Sequence, residues 1–329
     1  MRRKELAATL VIASQLMPSG AHSDPHAPTA AQREPYPQKP ITLLVPYGPG
    51  SASDQLAHHL AEAAKKYLPQ RIVVVNRPED AGTRAIAEAL AAAPDGYTLV
   101  LGTDATLTVQ PHRIKTAYGG PDTYVPVAKL VSGHPILIVR ADAPWRTAQQ
   151  FLDDARAHPG RFSIGVPGLG TVPDLDIEQL QLLGKIRLKV VAFQAPQQVS
   201  AVISRQIDGA VAFLAAVASS IKEHRAVMLG VFSNSRLALA PDVPTFKELG
   251  FEVTQGSFGA IVAPRGTPPY IVTALNEAIK KSIGEPSFAS FAETWGTLDY
   301  EGPEALAREL RQEYEKNGEV IRALGLRQK

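Results

Sequence analysis

The sequence predicts an α/β protein built as two units, in which the chain leaves the first unit, forms the second and returns. Three observations carry this expectation. Short apolar, β-branched runs alternate with amphipathic helical stretches along both halves of the chain, the pattern of strands buried in a largely parallel sheet with helices on both faces. Two longer extended segments, residues 125–140 and 253–263, have little helical periodicity and separate the alternating series; they read as crossover strands. At 329 residues, the chain is too long for one small core and suits two domains.

At the N-terminus, Arg2, Arg3 and Lys4 precede an apolar run from Leu6 to Met17 and the small-residue stretch Ala21-His22-Ser23. This is a basic region, a hydrophobic region and a cleavage site, so residues 1–23 are expected to be an export signal removed near Ser23. The apolar run falls short of the ~20 residues a membrane-spanning helix needs. Residues 24–37, rich in Pro, Ala and His, read as a flexible lead-in.

The first series follows: strands at 41–47, 71–76 and 97–103, with helices at 53–67 and 85–92. The second has helices at 147–157, 174–183, 196–205 and 217–224 and strands at 161–166, 188–193, 208–213 and 227–232. Helices near 270–283 and 303–324 then complete the first unit. The expected division is residues 38–133 with 256–329 for the first lobe and 134–255 for the second. No repeat of fixed period is visible.

Arg2, Arg3 and Lys4 against Glu5 account for the whole net charge of +2, so the chain after cleavage is close to neutral. It has no general drive toward phosphate backbones or anionic lipid, and nucleic acid is not an expected partner. Any anion must be captured locally. The absence of cysteine excludes disulfides, thiolate metal sites, a thiol nucleophile and a lipid-modified cysteine anchor.

Three strand-end loops carry the candidate chemistry. The first, Tyr47-Gly48-Pro49-Gly50-Ser51-Ala52-Ser53, runs from a strand into a helix; its backbone N–H groups, its hydroxyls and the positive helix end make an anion cradle. It lacks the Lys-Ser/Thr pair of a P-loop. A second loop of the same design, Gly168-Leu169-Gly170-Thr171, lies in the other unit. Two such cradles, one per unit, can face each other across a cleft at the carboxyl ends of strands. The third, Thr103-Asp104-Ala105-Thr106, offers two hydroxyls, while Asp104 reads either as a ligand contact or as a helix cap.

A catalytic site is hard to assemble. His58 and His59 are adjacent on a helix and point to different faces. The sequence has no Gly-x-Ser-x-Gly elbow, zincin motif or dinucleotide fingerprint. No catalytic residue, metal ligand or cofactor is therefore assigned. A hydrolase would need a nucleophile–base pair that is not evident, and an effector-binding domain of a transcription regulator would need an N-terminal helix-turn-helix.

In this order, the loops and a set of short markers resemble the Bug family, the periplasmic receptors of tripartite tricarboxylate transporters. The markers are Tyr36-Pro37-Gln38-Lys39-Pro40-Ile41, the 45–54 loop, Asn76-Arg77-Pro78, Ala93-Pro94-Asp95-Gly96-Tyr97-Thr98 and Leu239-Ala240-Pro241-Asp242-Val243-Pro244-Thr245. The resemblance covers residues 36–326. It implies a type II periplasmic-binding-protein fold with two crossover strands as hinge. It also implies a small carboxylate held by backbone amides, hydroxyls and waters, and a monomer that meets either transporter membrane subunits or a sensor-kinase ectodomain.

The departures point to a particular ligand. Leu169 stands where the family commonly has a polar residue, Val172-Pro173-Asp174 replaces a Ser-Ser-His pattern, and Phe193-Gln194-Ala195 replaces Tyr-Lys-Gly. Ala212, beside Phe213, takes the place of a frequent Asp, and Asp104 replaces a small polar residue. The resulting wall is apolar and faces one acid. It suits a ring or alkyl body plus a donor, as in an aromatic or amine-bearing acid.

Overall fold

The computed structural model describes residues 35–193 and 197–326, and the account below concerns the body from Tyr36 onward. The expected signal (1–23) lies outside the described residues.

The first sheet contains β1 (Ile41–Val45), β2 (Ile72–Asn76), β3 (Thr98–Thr103), β4 (Tyr124–Gly133), β10 (Ser257–Pro264) and β11 (Thr297–Glu301), in the order β11-β4-β10-β3-β1-β2. The second contains β5 (Ile136–Arg140), β6 (Ser163–Val166), β7 (Lys189–Ala192), β8 (Gly209–Ala212) and β9 (Ala226–Val231), in the order β7-β6-β8-β5-β9. The chain crosses between the sheets twice, from β4 to β5 and from β9 to β10.

The sheets are mixed, not largely parallel. β1 pairs in parallel with β2 and β3, and β6 with β7 and β8. β10 runs antiparallel to β3 and β4, and β5 antiparallel to β8 and β9. The antiparallel members include the strands that carry the chain between sheets, which enter their sheet against the direction of the βαβ strands.

Strand alternation sends each apolar run to two cores at once. In the first sheet, Ile41, Leu43, Val45, Leu99 and Leu101 pack under α1 (Ala52–Ala64) and α8 (Pro269–Ile283). Leu44, Val100, Ala260 and Val262 pack on the opposite face with α2 (Thr83–Leu90) and with Leu306 and Leu310 of α10 (Pro303–Ala323). The second sheet repeats the scheme: Leu137, Val139 and Val211 face α4 (Ala148–Ala157) and α5 (Val172–Gly184), while Ile136, Ile138, Ala210 and Ala212 face α6 (Gln197–Ile203) and α7 (Leu214–Lys222). Hydrophobic burial on both faces explains why the strands read as continuous apolar runs.

Capping sets the helix starts. Ser51 accepts from the Asp54 amide and Thr147 from the Gln150 amide, while Gln150 Oε1 accepts from the Arg146 N–H. Two elements had no counterpart in the sequence reading: α9 (Pro286–Trp295) and β11, which close the first sheet's edge. α3 (Gln110–Arg113) was also unforeseen, while the π-helical turn Ala105–Val109 before it stands where a helix after Asp104 was allowed.

The two crossings touch. A Cβ on Gly256 would lie 3.0 Å from His134 Cε1, so glycine at this point lets the second crossing pass the buried imidazole of the first. Contact between the two sheets' helices is made at α7 against α9, and in an apolar cluster of Val109, Leu175 and Ile321.

Lys129 of β4 is buried among Asp299 (2.9 Å) and Glu301 (3.8 Å) of β11 and Glu309 (2.6 Å) of α10. Burial raises the Glu309 pKa, and the Lys129 ammonium opposes that rise. Lys129→Met is expected to lower the free energy of unfolding by about 3 kcal/mol at pH 7.5. The raised Glu309 carboxyl takes up a proton as the pH falls, so the loss should be smaller at pH 5. Urea unfolding at both pH values checks both statements.

Candidate ligand site

The first loop leaves β1 and enters α1 through Gly50, whose φ is +80°. That conformation turns the Gly50 N–H onto Asp54 Oδ2 at 2.8 Å, one helical turn ahead. The Asp54 amide in turn donates to Ser51 Oγ at 3.2 Å. Asn76, at the end of β2, donates to the other Asp54 oxygen at 2.8 Å and to the Tyr47 carbonyl at 2.9 Å.

The second loop, between β6 and α5, repeats the arrangement. Gly170 has φ +77°, and its N–H donates to Asp174 Oδ2 at 2.7 Å. The Thr171 hydroxyl closes the turn on the Gly168 carbonyl at 2.7 Å. Asp174 also meets Arg113 of α3 at 3.2 Å, both side chains being largely buried. This ion pair joins an element flanking the first sheet to the second loop. Gly170 itself lies against the same element: a Cβ there would be 3.1 Å from Gln110 Nε2.

Both loops are thus strand-to-helix turns with a glycine amide at the positive end of a helix, as expected. Sequence reasoning missed that each cradle receives its own carboxylate. The signal was present as the spacing Gly-x-x-x-Asp in Gly50…Asp54 and Gly170…Asp174, which places the acid one turn into the helix.

At the third loop, Thr103 and Thr106 bond to one another: the Thr103 amide donates to Thr106 Oγ1 at 3.0 Å, and Thr106 Oγ1 donates to the Thr103 carbonyl at 3.1 Å. Thr103 Oγ1 also lies 3.2 Å from the Tyr47 hydroxyl, which links the first and third loops. Burial pushes the Tyr47 pKa up to about 12, so it stays a neutral hydroxyl. Thr106 is fully buried, and Ser53 nearly so.

Of the two roles the sequence allowed for Asp104, the structure does not show the side-chain cap. The residue is only 3% exposed. Its Oδ1 accepts from the Ser257 hydroxyl and, at 3.2 Å, from the Phe258 amide, tying the end of β3 to the start of β10. Burial raises its pKa to about 7.

On the second sheet, Leu169 is 65% exposed at the lip of its loop. Phe193 is half-buried beside Gly165, and Phe213 is half-buried at the start of α7. Ala212 is fully buried within β8. Gln194 lies outside the described residues. A cavity of about 430 Å³ between α3 and α10 is lined by His112, Tyr314, Gly318 and Arg322 and by none of the loop residues. Among the described residues, no group of three or more His, Asp or Glu side chains is placed to hold a metal ion.

Two α/β units joined by two crossings, each with a glycine loop and helix start at the carboxyl ends of its strands, define a two-lobed receptor for a small molecule. Residues 56–326 match the model of the tripartite tricarboxylate transporter family receptor. The chain belongs to this family, whose members are solute-binding proteins of the periplasm.

It is 30% identical over 307 residues to a UPF0065 protein in the gbd 5′ region of Cupriavidus necator, covering 91% of this chain and 91% of that one. It is 25% identical over 315 residues to protein BugT of Bordetella pertussis, covering 92% and 94%. The crystal structure of a ligand-free TctC solute binding protein from Polaromonas superposes with a TM-score of 0.76 at 27% identity, over 88% of this chain and 100% of that one. MatC from Rhodopseudomonas palustris with bound malate superposes at 0.74 with 26% identity, over 87% and 100%. Among the described residues, no helix is long and apolar enough to cross a membrane.

Arg113→Met would leave the buried Asp174 carboxylate without its cation. We expect a loss of about 3 kcal/mol in unfolding free energy at pH 7, read by urea titration. Arg113→Lys should recover only part of it, because an ammonium lacks the guanidinium fork.

Proposed function

We propose that this chain closes two lobes, residues 38–133 with 256–329 and residues 134–255, on one small carboxylate-bearing molecule. The closed form is then presented to the membrane subunits of a tripartite tricarboxylate-type transporter. The receptor works as a monomer in the periplasm after removal of residues 1–23 and performs no chemistry on its ligand. The observation that carries the reading is the pair of matching glycine loops, one at the strand ends of each sheet, in a chain of this receptor family. The malate bound by MatC, a relative at 26% identity, supports a carboxylate as the recognised group.

The ligand carries one carboxylate and an apolar or aromatic body. Two features favour this over a citrate-like acid. The Gly50 and Gly170 amides already serve Asp54 and Asp174, so each further negative charge brought to the loops meets a resident carboxylate. Leu169 stands at the lip of the second loop and Phe193 and Phe213 follow the neighbouring strands β7 and β8, offering hydrophobic contact, while the polar groups beside Gly170, Gln110 and Arg113, lie on the element flanking the first sheet. Tyr47, Ser51 and Ser53 supply hydroxyls on the opposite side.

Thermal-shift measurements across aliphatic di- and tricarboxylates, aromatic acids and amino-acid-like compounds test the class. The expected result is stabilisation by aromatic or alkyl monocarboxylates, the shift rising with log concentration above Kd. Stabilisation by citrate-like acids alone would overturn it. For whichever acid stabilises, Tyr47→Phe should weaken binding about tenfold by calorimetry, the value of one hydrogen bond to a charged group.

A further inference from the structure

An acidic seam runs through the body where the two crossings meet. Asp176, early in α5, is fully buried, and neither of its carboxylate oxygens has a hydrogen-bond partner among the described residues. The Gln255 amide of the second crossing approaches it without reaching hydrogen-bonding geometry. Gln255 Oε1 and, on α10, Asn317 Oδ1 are likewise buried and unpartnered. Every one of these orphaned atoms is an acceptor, so what the seam lacks is a donor.

The charged and titratable groups acting on Asp176 come from elements on the other side of it. α10 contributes Lys316 and Glu313, and the end of β3 contributes Asp104. Asp104 in turn feels Glu313 and adjoins Tyr47 of the first loop. The second crossing, residues 254–258, has no ionisable side chain, while the first crossing sets His134 against Gly256, its pKa lowered chiefly by burial and further by Lys129 and Lys316. Three carboxyls therefore share one ammonium, and Lys316 also donates to Thr254 Oγ1 at 3.1 Å.

A charged carboxylate buried without hydrogen bonds costs several kcal/mol. The remedy must fit the space. Asp176 has essentially no accessible surface on either oxygen, so a water molecule, a metal ion or a ligand ammonium has no room beside it in this arrangement. A proton needs none.

We propose that closure of the two lobes is coupled to uptake of a proton by the Asp104–Asp176 pair, so that the receptor grips in mildly acidic surroundings and loosens as the pH rises. The proposal rests on the two-lobed receptor reading. Its geometric basis is that α5, which carries Asp176, meets α10 and the turn after β3 in this structure, through Leu175 against Val109 and Ile321. Opening withdraws α5 from these neighbours and lets water solvate Asp176.

The electrostatics agree in direction. Burial raises Asp104 to about 7, and it raises Asp176 well above the ordinary carboxylate range, with Asp104 adding to the rise and Lys316 opposing it. Acids raised in the closed form favour that form fully below their ordinary range near pH 4. The advantage is lost as the pH climbs toward 7, with the closed-to-open ratio falling by up to about tenfold per pH unit for each proton linked.

Small-angle X-ray scattering of the ligand-free protein from pH 5 to pH 8 tests this, with Asp176→Asn and Asp104→Asn beside the unaltered chain. The unaltered protein should be compact at pH 5 and show a larger radius of gyration at pH 8. Asp176→Asn and Asp104→Asn should each show a reduced response, Asp176→Asn the smaller one. Asp104→Asn retains an oxygen for Ser257 and Phe258 and remains informative should Asp176→Asn fail to fold by circular dichroism. A radius independent of pH in the unaltered protein overturns the proposal, as does a full pH response in whichever variants fold. A flat profile leaves the receptor reading intact. That reading fails separately, if no acid of the thermal-shift panel binds or compacts the protein at fixed pH.

Discussion

One contact, made twice, organises the site: a glycine amide held at positive φ donates to an aspartate four residues later. The contact satisfies the N–H of the residue just before the N-cap, and it puts negative charge on the positive end of the helix. It also fixes the loop before any ligand arrives. In the first loop the second Asp54 oxygen takes Asn76, which locks α1 to β2 within one sheet. In the second, the same Asp174 oxygen takes Arg113, reaching an element of the other sheet. One local motif therefore stiffens one half of the site and latches the two halves together.

Much of this architecture was legible because its causes are local. Apolar runs buried on both faces, Ser and Thr before helices, and glycine at strand ends are written into a few consecutive residues, and the structure returns the strands and helices of both series within a few positions. Strand direction was not legible. Whether β10 pairs parallel or antiparallel to β3 depends on how the chain re-enters the sheet, which no window of sequence encodes. The short helix α9 and the edge strand β11 were missed for a related reason. Pro286–Trp295 mixes small and aromatic residues within ten positions, and β11 is half-exposed along its length, so neither shows a clean period.

The site residues divide in the same way. The glycine loops could be named from their spacing, and the acids that fill them were visible in the same spacing though unread. Asp104 could not have been placed. Its partners are Ser257 and Phe258, 153 and 154 residues away, and only the pairing of β10 with β3 brings them together. A residue that reads as a ligand contact or a cap serves as a strand-to-strand anchor because the return crossing lands beside it. Asp176, which no local pattern marked, is buried on α5, whose neighbour Leu175 packs on Ile321 of α10, a residue far away in sequence.

These placements change what a ligand would meet. Positive helix ends attract anions in general, and on that ground alone two facing helix starts would favour a molecule with a carboxylate at each end. Here each helix end is already partly neutralised by an internal aspartate, and two further acids, Asp104 and Asp176, lie buried, with Lys316 acting on Asp176. The field that remains can accept one more negative charge at hydroxyl donors more readily than two. On the proposed reading, the rest of the binding energy comes from surface removed from water at Leu169, Phe193 and Phe213, at roughly 25 cal/mol per Å². In that reading, selection by an apolar body rather than by charge count follows from where the protein has spent its own carboxylates.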